Sequence, residues 1–149
     1  MGDIFMVEVV VGRQKWNRGA ALAIRQMVFV TERGIAREAE FDDKDTDETI
    51  YAVVYEDTAH PVATARYEAI DHQTVRPGRV ATVATARYHG YGAQALLALE
   101  AYARQQGLTM AVIHGELDAV PFYERLGYHA TGKVFEEDDV PVQELRKNL

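Results

Sequence analysis

Cysteine is absent from the 149 residues. That omission excludes disulfides, thiolate metal sites and a thiol nucleophile. Positive charge is scarce: 16 Lys and Arg face 23 Asp and Glu, for a net charge of −7. So acidic a chain is a poor electrostatic partner for nucleic acid or an anionic membrane, and neither is expected. Long apolar runs are missing, with no stretch near the ~18 residues that cross a bilayer. Met1 to Val11 contains Asp3 and Glu8 and lacks the basic start of a signal peptide. Met1-Gly2 opens like a myristoylation site, but Met6 stands where Ser or Thr is required. Together these absences predict a cytoplasmic protein. Metal-ligand spacing is lacking as well: His60, His72, His89, His114 and His129 are scattered, so no metal is expected. Asp43-x-Asp45-x-Asp47 resembles the start of a calcium loop, yet Glu48 and Val54 occupy the positions that need Gly and an acid.

What is present suits a globular chain, 48% hydrophobic and 26% charged. Its length is enough for one domain, expected over residues 1–149, that buries ~68–70% of the surface its unfolded chain exposes. Ile4 to Val11 is β-branched and predicts a strand. Trp16 to Val30 repeats Ala20, Ala23, Ile24, Met27 and Val28 at helical spacing and should stop near Thr31, before Gly34. Glu40 to Glu48, six of nine residues acidic, predicts a solvated loop. Its sharper alternative is a cluster that attracts a cationic acceptor. Strands follow at Ile50–Tyr55, Val62–Ala69 and Arg79–Thr85, with Pro77-Gly78 as a turn signal.

Ala95, Leu96, Leu99, Tyr102 and Ala103 then mark one face of a helix that ends at Gly107. Leu108–His114 predicts a buried strand, and Asp118 an N-cap for a helix that ends at Gly127. Tyr128–Leu149 suits two strands about the acidic turn Glu136-Glu137-Asp138-Asp139. This order indicates an α+β domain with a mixed, mainly antiparallel sheet flanked by helices. Val62-Ala63-Thr64-Ala65-Arg66-Tyr67 recurs as Val83-Ala84-Thr85-Ala86-Arg87-Tyr88. Two copies are too few for a solenoid, so the echo reads as two strands of one sheet.

Chemistry concentrates in Arg87-Tyr88-His89-Gly90-Tyr91-Gly92-Ala93, which sets two glycines between a strand and an amphipathic helix. Such glycines let the backbone approach a ligand while helix N-terminal N–H groups face an anion, a pyrophosphate above all. No Gly-Lys-Ser/Thr follows, which excludes a P-loop. Gln94 and Ala95 stand where a dinucleotide fingerprint needs its third glycine.

The segment resembles the pyrophosphate loop of the GNAT superfamily of N-acetyltransferases, [Gln/Arg]-x-x-Gly-x-[Gly/Ala]. Arg79–Val83 is similar to the strand before that loop, and Phe122-Tyr123-Glu124-Arg125-Leu126-Gly127-Tyr128 to the family's late signature. Val28–Gly34, Glu40-x-Asp42-x-x-Asp45 and Val62-x-Thr64-x-Arg66 resemble a branch of small bacterial members. The chain departs from that branch at Tyr88 (usually Gly), Arg33 (Gln) and Glu116 (Gln).

The resemblance implies acetyl-CoA as acyl donor and direct transfer of its acetyl group to a primary amine of an unidentified acceptor. It places the pantetheine arm on backbone groups of Ala81 and Val83, beside Thr82, and the pyrophosphate on Arg87, Tyr88, His89, Gly90, Tyr91, Gly92 and Ala93. Tyr123 is the expected proton donor to the departing thiolate. For the general base Glu32, Glu40, Glu68, Glu116 and His114 all stand open, Glu116 ranked first. The competing reading is a catalytically silent acyl-CoA sensor or interaction module. A homodimer is compatible with either.

Overall fold

The computed structural model describes residues 7–149. Glu8–Gly12 forms β1; the first residues of the expected Ile4–Val11 strand lie outside the described region. Tyr51–Tyr55 (β2), Pro61–Arg66 (β3) and Gly78–Thr82 (β5) complete an antiparallel sheet ordered β1-β2-β3-β5. A second sheet runs β4-β6-β8-β7, from Thr74–Val75, Met110–Glu116, Val140–Asn148 and His129–Glu137. This is the predicted α+β architecture, with the sheet divided in two.

The division follows from one stretch of chain. Thr74 and Val75 lie parallel to Met110 and Ala111 of β6, yet Gly78–Thr82 pairs with β3. Between them Pro77, which has no N–H to give a ladder, lets the chain cross from one sheet to the other. Pro77-Gly78 is therefore a crossing point, whereas the sequence suggested a turn. Beyond it β5 and β6 diverge unpaired and open a cleft. The strand also ends earlier than predicted, at Thr82, because Ala84–Ala86 turns into a short 3₁₀ helix. The second V-A-T-A-R-Y copy is thus not a strand.

α1 (Lys15–Arg25) continues without a break as a π-helix over Gln26–Glu32. A four-residue α2 follows (Arg37–Glu40). α3 (Tyr91–Gln105) buries Ala95, Leu96, Leu99 and Ala103 as their spacing required, and Gly107, at φ 87°, closes it. This helix spans both sheets. Ala95 and Leu99 pack in the core of the first, Leu96 and Ala103 with Ala111, Ile113 and Leu145 of the second. Buried Glu100, invisible to the apolar pattern, accepts from Tyr128 (2.8 Å) and Lys147 (2.6 Å), so its charge is partnered. α4 (Val120–Arg125) begins later than predicted. Asp118 lies in a 3₁₀ turn, Leu117–Ala119, and gives no side-chain cap. The β7–β8 hairpin turns on Asp138 and Asp139, both at positive φ as its two-residue geometry demands.

The acidic segment is not the solvated loop its composition suggested. Arg25, 0% exposed, donates to Glu40 (2.8 Å) and bidentately to Asp45 (2.6 and 2.9 Å). Arg66 and Arg79 hold Asp42, and Tyr51 donates to Asp45 at 2.7 Å. Three acids neutralise three arginines, so this half of the cluster has no charge left to attract a cation.

Candidate active site

A cavity of about 600 Å³ lies in the cleft. Gly78, Arg79 and Val80 line it from β5, His114 and Glu116 from β6, and Tyr123 from α4. Strand alternation sorts these groups. An alanine Cβ at Gly115 would come 3.0 Å from ring carbons of Tyr123 and from Leu145, so Tyr123 rests on the face of β6 that Gly115 leaves bare. His114 and Glu116 project from the opposite face. The cavity is thus served from two sides by different chemistry.

Tyr123 makes no hydrogen bond through its hydroxyl among the described residues. Burial, aided by the negative charge of Glu116, pushes its phenol up to about 12. It therefore keeps its proton throughout the neutral range and can serve there as an acid but not as a base.

Just past β5, Val83 N–H donates to Val62 O at 2.9 Å, while its own carbonyl accepts from Ala86 N–H at 3.0 Å. Both backbone groups of Val83 are occupied. Ala81, two residues back and opposite Thr64, faces β3 in the same sense. By the same alternation the N–H groups of Thr82 and Val80 turn away from β3 toward the cleft, one residue out of step with the Ala81 and Val83 that the resemblance implied.

The loop after β5 carries its unusual geometry where an anion site needs it. Gly90 (φ 77°) is the N-cap of α3 in the left-handed region. Its carbonyl accepts from Gln94 N–H at 3.0 Å, which leaves the first-turn N–H groups of Tyr91, Gly92 and Ala93 without helical partners. No acidic side chain occupies that turn. Gly92 matters for another reason: a Cβ there would meet Thr82 Oγ1 at 3.2 Å, so even a methyl group fits only if the Thr82 side chain gives way, and a larger side chain crowds the contact of α3 with β5. Tyr88, fully exposed, sits at φ 69°, a conformation that suits the glycine usual at this position. The ring of His89 lies 5.6 Å from that of Tyr91, whose hydroxyl donates to Glu56.

Arg87 donates to Thr82 O (3.0 Å) and bidentately to Glu32 at the end of the π-helix (2.6 and 2.5 Å). The hydrogen bonds from Arg87 hold the Glu32 carboxyl below its ordinary range. Glu116 is held by Arg33 Nη2 at 2.9 and 3.2 Å. Arg33 and Glu116, two departures from the family pattern, thus meet each other. Glu68 pairs with Lys44 and Arg76, and Glu40 with Arg25. His114 differs: its Nδ1 lies 3.0 Å from Glu137 Oε2, and its Nε2 has no partner among the described residues. Among those residues no three His, Asp or Glu side chains gather to hold a metal, and no helix is long and apolar enough to cross a membrane.

Residues 7–128 match the family model of the acetyltransferase (GNAT) family. The uncharacterized acetyltransferase of the arcA 3′ region of Streptococcus pyogenes is 41% identical over 109 residues, 73% of this chain and 74% of that protein. A crystal structure of a Lactobacillus plantarum protein assigned as an N-acetyltransferase superposes with a TM-score of 0.91 at 46% identity, over 96% of this chain and 98% of that one. An acyl-CoA N-acyltransferase from Pseudomonas aeruginosa gives a TM-score of 0.78 at 25% identity, over 95% and 99%. The divided sheet, the glycine loop that opens α3 and these likenesses lead to one conclusion: the chain belongs to the GNAT acetyltransferase family.

Proposed function

We propose that the protein transfers an acetyl group from acetyl-CoA directly to a primary amine. The observation that carries this reading is the unpartnered phenol of Tyr123 lining the cleft where β5 and β6 part. In this reading the outward amides of Val80 and Thr82 receive the pantetheine arm as a missing strand would, and one polarises the thioester carbonyl as charge grows on its oxygen. Arg87 and the first turn of α3 take the pyrophosphate, with Tyr88 and His89 flanking it. The neutral amine enters from the His114 face, and the thiolate leaves toward Tyr123.

Thiol release from acetyl-CoA with a panel of aliphatic amines tests the reading. A protein that binds acetyl-CoA tightly but turns over none of the panel would be the silent sensor instead.

Two consequences follow for the loop. Gly92→Val should weaken acetyl-CoA binding by ~10-fold or more, the worth of one charge-assisted hydrogen bond. Calorimetry reads the affinity and circular dichroism the fold; unchanged affinity in a folded variant would remove this loop from the site. Glu32→Gln should strengthen binding a few-fold, because a phosphate must otherwise displace the Glu32 carboxylate from Arg87. Equal affinities would mean that Arg87 keeps Glu32 as its partner in the complex.

A further inference from the structure

We infer that His114, oriented by Glu137, is the general base that deprotonates the acceptor amine; the inference rests on the transferase reading above. An ionised carboxylate only accepts hydrogen bonds. The 3.0 Å contact with Glu137 therefore fixes the imidazole proton on Nδ1 and leaves a lone pair on Nε2. Phe135 packs edge-on against the ring, with centroids 4.9 Å apart, and fixes its plane. His114 lines the cavity on the face of β6 opposite Tyr123. Base and acid thus reach the cavity from opposite faces of one strand, so the group that takes the amine's proton and the group that supplies the thiolate's are separate.

Of the carboxylates weighed from the sequence, Glu32, Glu68 and Glu116 are each engaged by Arg or Lys, and Glu40 is buried against Arg25, so none offers an accepting atom as free as Nε2. Other charges face the imidazole from the neighbouring strands. Glu144 stands opposite it on β8, with its carboxylate held by Thr131 and Arg146. Lys133 lies over the Phe135 ring, and Glu116, paired with Arg33, follows on the same strand face. Arg66, Arg76, Arg79, Glu40, Glu68, Asp118 and Asp138 line the same cavity.

The protons balance. The ammonium gives one to Nε2 of His114, which passes it to solvent. The amine nitrogen then bonds to the acetyl carbon and the C–S bond breaks. Tyr123 protonates the sulfur and is reprotonated, through water, by the second proton of the acetylated nitrogen. The products are an amide, free thiol and one released proton.

The test compares n-butylamine, protonated at neutral pH, with methoxyamine, which is largely neutral there. In His114→Gln, kcat/KM for butylamine at pH 7 should fall ~10²–10⁴-fold. The deficit should shrink as pH approaches the amine's own value near ~10. Methoxyamine, with no first proton to lose, should keep its rate within a few-fold, and the acetyl-CoA Kd should stay unchanged. Glu137→Gln, whose amide no longer dictates which ring nitrogen carries the proton, should lower kcat/KM for butylamine by part of that factor and spare methoxyamine. Full butylamine activity in His114→Gln would overturn the assignment, and so would equal losses with both amines at every pH. Wild-type protein that binds acetyl-CoA but acetylates neither amine would overturn the transferase reading together with this one. Loss confined to His114→Gln separates the two.

Discussion

Tyr123→Phe is expected to lower thiol release from acetyl-CoA by ~10²–10⁴-fold, the scale of a positioned acid, while leaving acetyl-CoA affinity nearly unchanged. The substitution removes one oxygen and keeps the ring. That ring rests on Gly115 and touches Phe122 and Tyr128 edge-on, at centroid separations of 5.1 and 6.1 Å, so the packing of α4 survives. The hydroxyl has no protein partner among the described residues, so its removal orphans no buried group. With a phenol pushed up to about 12, the wild-type rate should show no loss from Tyr123 ionisation below pH 10. Calorimetry and a thiol-release assay on the same protein separate the outcomes. Full activity in the variant would leave Tyr123 a packing residue and require another donor. A loss matched by weaker acetyl-CoA binding would make it a binding group.

Arg25→Met should destabilise the protein by ~3–5 kcal/mol, a large share of the ~5–15 kcal/mol that holds a domain together. The methionine fills the space of the arginine stem. It leaves Glu40, 3% exposed, and Asp45 without their main counter-charge. In the wild type, burial pushes the Asp45 carboxyl up, but hydrogen bonds from Arg25 and Tyr51 win and hold it well below the usual carboxylate range. The sign follows. Asp45 contributes stability above its unfolded value of ~3.9, and that contribution is lost as pH falls toward its folded value. For Glu40 burial prevails over Arg25 and the carboxyl is raised, so its buried charge already costs stability at neutral pH. Without Arg25 both carboxyls shift upward, and acid relieves both. The stability gap between wild type and variant should therefore be widest near pH 7 and narrow toward pH 4 in denaturant titrations. A gap that stays constant with pH would mean that the arginine matters only as packing.

The sequence announced some of this and concealed the rest for physical reasons. Helix α3 was legible because its apolar residues recur at helical spacing and Gly107 ends it, a purely local signal. Gly90 and Gly92 stood out in the sequence as backbone exceptions, and the structure gives them different reasons, a left-handed backbone at one and close packing on Thr82 at the other. The fate of Glu40, Asp42 and Asp45 was not legible. Their partners Arg25, Arg66 and Arg79 lie 15 to 37 residues away, and only the fold unites them. Composition therefore read the segment as solvent-facing. The π-helix escaped because Val28 and Phe29 keep a helical apolar pattern whichever carbonyl their neighbours bond. On β5 the strand itself was visible, but not which residues bond to β3. That is decided by Val62, on another strand, and an error of one residue exchanges Thr82 for Val83. The pairing of His114, one of five candidate bases, with Glu137, 23 residues on, was not legible either, because only the fold brings them together.

The cleft between β5 and β6 also sets a limit on girth. An open strand edge ordinarily invites another polypeptide to add itself, with all the hazard of uncontrolled association. In this protein the open edge of β5 is turned toward β6, and α3 closes over one face of both sheets. A foreign strand carries side chains above and below its backbone, and one added to β5 would have to fit them past Tyr123 on one face of β6 and His114 on the other. A slender chain that presents amides but no side chains meets no such obstacle. The fold therefore turns a backbone edge inward, toward β6, where a thin chain has the advantage over a strand.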